Sequence, residues 1–146
     1  MIGIVVSGHI NFASGMASAV RAIAGEQPQM AFIDFVESMS TDRLEDELRR
    51  AADSVDSDEG VLFLIDIPGG SPCNRALNIL MKGRNVELLA GVNLPMIANA
   101  AFERDGVSLA ELVEILMDIG ASSVQNLRTE LATVMATNDS ENGDGL

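Results

Sequence analysis

Two side chains that could do chemistry follow separate apolar runs of this sequence. His9, the single histidine, comes after the run IGIVVSG, and Asp66 closes the run GVLFLID. An imidazole is a nucleophile toward phosphorus when one ring nitrogen keeps its lone pair and a carboxylate holds the proton on the other nitrogen. We therefore predict that His9 is the nucleophile and that Asp66 orients its ring and balances its charge.

A glycine turn directly after Asp66 supplies the groups that a phosphoryl oxygen requires. The turn contains Gly69, Gly70 and Ser71 and precedes a helical stretch. Backbone amides at a helix N-terminus bind anions, and glycines let the main chain approach closely. We predict that these amides and the Ser71 hydroxyl stabilise the phosphoryl group. Neither a metal nor a cofactor is expected.

Two other functions are compatible with the same residues. Cys73 lies in the predicted first turn of the third helix, where the helix dipole lowers a thiol pKa. A cysteine hydrolase would then use Cys73, His9 and Asp66, although Cys73 is also suited to a small buried position. A regulatory module that binds an anion without any covalent step is the other alternative.

Composition restricts the class of partner. The chain has 146 residues, 47% of them apolar, and a formal charge of −13. Such a surface repels nucleic acid and anionic membranes, and the apolar runs are too short for membrane insertion. The single cysteine forms no internal disulfide and no signal peptide is recognised, so the sequence favours a cytoplasmic location.

Apolar, strand-like runs alternate with amphipathic, helix-like ones. Strands are predicted at 2–6, 30–36, 60–66 and 86–90, and helices at 13–24, 42–55, 73–81, 94–102 and 109–120. Helix N-caps are expected at Ser40 or Thr41, Ser71, Asn93 and Ser108. The stretch from Val124 to Met135 fits either a helix or an edge strand.

This alternation predicts an α/β domain, a doubly wound sheet between two helix layers. Four parallel strands in the order 2-1-3-4 would place the first and third strands side by side, and His9, Asp66 and the glycine turn at one crevice. Residues 1–136 are predicted to form the domain, and residues 137–146 an acidic, disordered tail.

The sequence resembles the mannose-family enzyme IIA components of the bacterial phosphoenolpyruvate-dependent sugar phosphotransferase system. The resemblance lies in the segments IGIVVSGHINFASGM, AGEQPQMAFIDFVES, GVLFLIDIPGGSPCNRA and ELLAGVNLPMI. It implies that His9 is phosphorylated, that Asp66 orients it and that Ser71 lies near the phosphoryl group. Members often have glycine after the histidine, where this chain has Ile10, and many have phenylalanine where it has Cys73.

The resemblance also implies partners. Phosphate would come from the phosphohistidine carrier protein HPr and pass to a IIB component, which serves sugar entry through the IIC and IID membrane components. Family members are homodimers in which a C-terminal strand of each subunit joins the other's sheet as an antiparallel edge. On this basis the stretch 124–131 is expected to be that swapped strand.

Overall fold

The computed structural model describes residues 1–144 of the chain, and side-chain surroundings for residues 1–138. The four strands alternate with the first four helices along the sequence. The strands are β1 (Gly3–His9), β2 (Met30–Phe35), β3 (Val61–Ile65) and β4 (Val86–Ala90). The helices are α1 (Phe12–Ala24), α2 (Thr41–Val55), α3 (Gly70–Met81), α4 (Leu94–Glu103), α5 (Leu109–Ser123) and α6 (Leu127–Asp144).

The sheet is parallel throughout and has the predicted order β2-β1-β3-β4. The central strands β1 and β3 pair from Gly3 with Val61 to Ser7 with Ile65. Since both strands run in one direction, the residues that follow them emerge at the same edge of the sheet. The predicted fold class is therefore confirmed, and the topology explains why the first and third strands deliver their loops together.

Two apolar cores hold the sheet between helices, as the unbroken apolar runs require. Successive side chains of a strand point to opposite faces, so Ile4 and Val6 join one core while Val5 joins the other. The first core packs against α1, α4 and α5, and the second packs against α2 and α3. Loop residues at the sheet edge are thus anchored by strands that are covered on both faces.

Most predicted helix starts are confirmed. The side chains of Ser40, Asn93 and Ser108 accept hydrogen bonds from first-turn amides of α2, α4 and α5. The predicted cap at Ser71 is wrong, because α3 already begins at Gly70 with Gly69 as its N-cap. Both glycines have φ of 74°, a left-handed conformation that starts the helix two residues earlier than predicted.

The C-terminal segment is a helix rather than the expected edge strand. Residues 127–144 form α6, and the side chains of 124–138 are exposed. A strand requires backbone partners from a sheet, whereas a helix satisfies its own amides and carbonyls. The leucines, alanines and Met135 of this stretch are also good helix formers. The exchange of a strand between subunits stays a prediction.

Residues 137–144 of the predicted acidic tail fall on the last part of α6, and residues 145 and 146 lie outside the described residues. The domain boundary at residue 136 and the disorder of the tail stay predictions. Over the described part of the chain, no helix combines the length and the hydropathy that crossing a bilayer requires.

Arg104 secures the sheet edge that is opposite to His9. Its side chain is fully buried, and its terminal nitrogens donate to the carbonyl oxygens of Ile2, Pro28 and Gln29 at 2.6–3.2 Å. Burial lowers the pKa of the guanidinium from its usual value. These bonds join the end of α4 to the starts of β1 and β2, and so help to fix where both strands begin.

We predict that Arg104→Met lowers the free energy of unfolding by roughly 2–4 kcal/mol, because it leaves buried carbonyls without donors. The measurement is urea unfolding followed by circular dichroism. The matched control is Arg21→Met, whose exposed pair with Glu26 should contribute less than about 1 kcal/mol. Equal midpoints for the two variants would contradict the structural role assigned to Arg104.

Candidate functional site

His9 and Asp66 form a hydrogen-bonded pair at the carboxyl edge of the sheet. Nδ1 of His9 lies 2.8 Å from Oδ2 of Asp66, and the backbone amide of His9 donates to the same oxygen over 2.9 Å. The amide of Ile67 donates to the other oxygen, Oδ1, over 2.8 Å. The carboxylate therefore fixes both the backbone and the ring of His9.

The pair is placed by strand geometry and by the small residue before His9. The amide of Asp66 donates to the carbonyl of Ser7 over 3.2 Å, which extends the β1–β3 ladder to the site. A Cβ on Gly8 would lie 2.8 Å from Cγ of Asp66 and 2.5 Å from Cδ1 of Phe12. Only glycine leaves room at this position for the carboxylate to reach the imidazole.

The accessible ring nitrogen is the one that Asp66 does not engage. With Nδ1 donating to the carboxylate, the neutral ring has its lone pair on Nε2. A Cβ built on Gly70 would lie 3.3 Å from Nε2 and 3.1 Å from Cε1, so this side of the ring faces the start of α3. The His9 side chain is 42% exposed and that of Asp66 only 12%.

The third predicted group, the glycine turn, therefore lies beside the imidazole. Gly69 and Gly70 form the N-terminus of α3, where backbone amides have no partner within the helix. Ser71 follows in the first turn and is half-buried. Among the described residues, no partner is found for its hydroxyl. The N-terminus of a 12-residue helix thus faces the free side of the ring, an arrangement suited to an anion.

Cys73 does not share this surface. Its side chain is 6% exposed and belongs to the core that packs against α2 and α3. A nucleophilic thiol must reach its substrate, and this burial does not fit that requirement. The structure therefore gives the hydrolase alternative no accessible nucleophile at Cys73.

Sequence reasoning missed the roles of three residues at the adjacent ends of β1 and β2. The ring of Phe35 meets the His9 ring edge to face, with centroids 6.1 Å apart. Asp34 accepts a hydrogen bond from the amide of Ser14 over 2.9 Å and so caps α1 from β2. Both residues end β2, and the pairing of β2 with β1 was the available signal. The third residue is Gly8, whose steric role depends on the distant side chain of Asp66 and therefore has no local signal in the sequence.

A family model described as "PTS system fructose IIA component" and named EIIA-man matches residues 3–117. The chain belongs to the EIIA-man family. It is a mannose-family IIA component of the phosphotransferase system, as its sequence indicated.

Relatives of this EIIA-man protein carry the names of several sugars. The chain is 33% identical over 130 residues to the mannose-specific EIIAB component of Escherichia coli. This alignment covers 88% of the chain but only 40% of that protein. The chain is 27% identical to the fructose-specific EIIA component of Bacillus subtilis over the full length of both chains. The chain thus spans less than half of the first relative and all of the second.

Solved structures agree with this assignment. The EIIA component from Streptococcus agalactiae superposes with a TM-score of 0.80 at 28% identity, covering 88% of this chain and 99% of that one. The mannose/sorbose specific IIA subunit from Enterococcus faecalis superposes with a TM-score of 0.76 at 25% identity, covering 86% and 93%. The domain fold of this EIIA-man protein is therefore that of its family.

We predict that Gly8→Ala displaces the Asp66 carboxylate from His9, because the new methyl group would overlap it. The expected cost is roughly 1–3 kcal/mol of unfolding free energy, together with a weaker preference for the Nδ1–H tautomer. Nitrogen-15 NMR of the single histidine reports the tautomer. The control is Gly15→Ala, where a Cβ meets nothing within 4 Å. An unchanged tautomer in Gly8→Ala would contradict the steric role of Gly8.

Proposed function

We propose that the chain is a cytoplasmic phosphocarrier that accepts a phosphoryl group from phospho-HPr on His9 and passes it to a IIB component. The observation that carries the proposal is the 2.8 Å contact between Nδ1 of His9 and Asp66, which leaves Nε2 turned toward the start of α3. Family membership supports the same function. Transport would follow at the IIC and IID membrane components.

The transfer requires no metal and little covalent work beyond positioning. The phosphorus–nitrogen bond of the donor breaks as a bond forms between phosphorus and Nε2 of His9. The donor imidazole leaves with the electron pair of the broken bond. The Nδ1 proton of His9 stays in place, so the phosphorylated ring becomes cationic and faces the Asp66 carboxylate.

The phosphoryl oxygens would be bound from the α3 side. The amides at Gly69, Gly70 and Ser71 point their positive ends toward charge that spreads over these oxygens. The Ser71 hydroxyl would add a further donor. This component would receive the phosphoryl group from one protein and transfer it to another, so its partners would be proteins. The sugar would be selected elsewhere in the system.

Phosphate labelling tests the carrier function directly. The wild-type chain, mixed with phosphoenolpyruvate, enzyme I and HPr, should acquire one acid-labile, base-stable phosphoryl group. His9→Ala should acquire none, because it removes the single histidine. Mass spectrometry maps the label. A wild-type chain that binds phosphate reversibly without a covalent product would favour the regulatory module, and label retained by His9→Ala would exclude His9 as the carrier.

A second prediction concerns the carboxylate. Asp66→Asn keeps the shape of the side chain but removes a charged hydrogen-bond partner that contributes about 1.5–3 kcal/mol. Transfer from phospho-HPr should therefore slow roughly 10- to 150-fold while the protein stays folded. The matched control is Asp53→Asn, which alters an exposed ion pair with Arg84. Phosphoryl transfer at the wild-type rate in Asp66→Asn would contradict the role of Asp66 in orienting His9.

A further inference from the structure

Ile10, the residue that follows His9, has a backbone conformation that its side chain disfavours. Its φ is 53°, in the left-handed region where a β-branched residue is an outlier. The Ile10 amide donates to the carbonyl of Phe35 over 2.8 Å, which ties this backbone to the end of β2. The backbone of Ile10 is therefore held in place next to His9.

Apolar packing does not hold the Ile10 side chain, as far as the described residues show. The Ile10 side chain is 46% exposed and is outside both core clusters that the described residues form. Ile67, which follows Asp66 and donates to its carboxylate, is 50% exposed. Each member of the His9–Asp66 pair is thus followed by an isoleucine that is about half exposed. We call Ile10 and Ile67 the apolar rim.

The transfer proposed above places this rim inside an interface. The donor nitrogen and Nε2 of His9 must approach the phosphorus from opposite sides at near-bonding distance. Residues adjacent to His9 are therefore covered by the donor protein during every transfer. The donor carries a negatively charged phosphoryl group, and this chain is also negative, with a net charge of −13. An uncharged rim avoids like-charge contact at that point.

We propose that Ile10 is a specificity-determining residue, whose side chain selects a phosphohistidine donor protein with an apolar recess beside its own histidine. The inference rests on the proposed function and deepens it. Glycine at this position would accommodate the left-handed backbone without strain. An isoleucine held there adds an apolar contact that a bare loop lacks, and Ile67 provides the second contact on the Asp66 side.

Ile10→Asn tests the effect of the side chain separately from that of the backbone, because asparagine accepts the left-handed conformation but removes the apolar surface. With phospho-HPr as donor, KM should rise about 3- to 10-fold in this variant while kcat stays unchanged. Ile67→Asn should act in the same direction. The matched control is Ile23→Asn, because Ile23 has a similar exposure and lies about 17 Å along α1 from Phe12, the first residue of that helix. This variant should behave like wild type.

Phosphoramidate, a small phosphoryl donor with no docking face, separates docking from chemistry. Ile10→Asn should accept phosphate from phosphoramidate at the wild-type rate, because His9 and Asp66 are intact. An unchanged KM for phospho-HPr would overturn the inference, as would equal losses with both donors, which would mean that Ile10 acts on the His9 loop itself. A wild-type chain that accepts phosphate from neither donor would overturn the proposed function and this inference with it.

Discussion

The Asp66 carboxylate organises the site because one anion binds both the backbone and the ring of His9. Its Oδ2 accepts from the His9 amide and from Nδ1, and its Oδ1 accepts from the Ile67 amide. Three donors offset the cost of holding a carboxylate in a position that is only 12% exposed. The tautomer of the imidazole and the path of its loop are therefore coupled, and neither can change without the other.

This coupling depends on the order of the strands. In a parallel sheet with β1 next to β3, both strands end at one edge, where His9 lies two positions past Ser7 and Asp66 one position past Ile65, the last pair of the ladder. The buried faces on either side fix the register, since a shift by one residue would turn core side chains to the wrong face. Arg104 adds a constraint at the far edge, where it binds carbonyls near the starts of β1 and β2.

The features that could be predicted from the sequence are those with a local physical signature. Mostly apolar runs identified the four strands, and Ser40, Asn93 and Ser108 marked helix starts. The sheet order followed from the alternation of elements. Contacts between distant residues gave no such signal. The space at Gly8 and the edge of Phe35 against His9 depend on neighbouring strands and loops.

The misassigned elements have physical reasons as well. At α3 the left-handed glycines start the helix before Ser71, although a serine before a proline is the stronger local signal. Over residues 124–138 the side chains are exposed, so helix propensity decides the local structure. The expectation of a strand there came from what the family resemblance implies, and it concerned the sheet of a partner subunit.

The distribution of cations is relevant to how the proposed carrier would release its phosphoryl group. Most arginines pair with carboxylates on their own or nearby elements, as with Arg43 and Glu47, Arg50 and Asp46, and Arg84 and Asp53. Among the described residues, the groups beside the His9 ring are the Asp66 carboxylate, the Phe35 ring and Gly70 at the start of α3. A carrier must pass its phosphoryl group on, and an intermediate bound too tightly slows the next step. Amide dipoles orient the group, whereas a bidentate arginine clamp would also hold it. For the carrier function proposed above, the geometry around His9 would therefore allow a phosphoryl group to be stored transiently between two proteins.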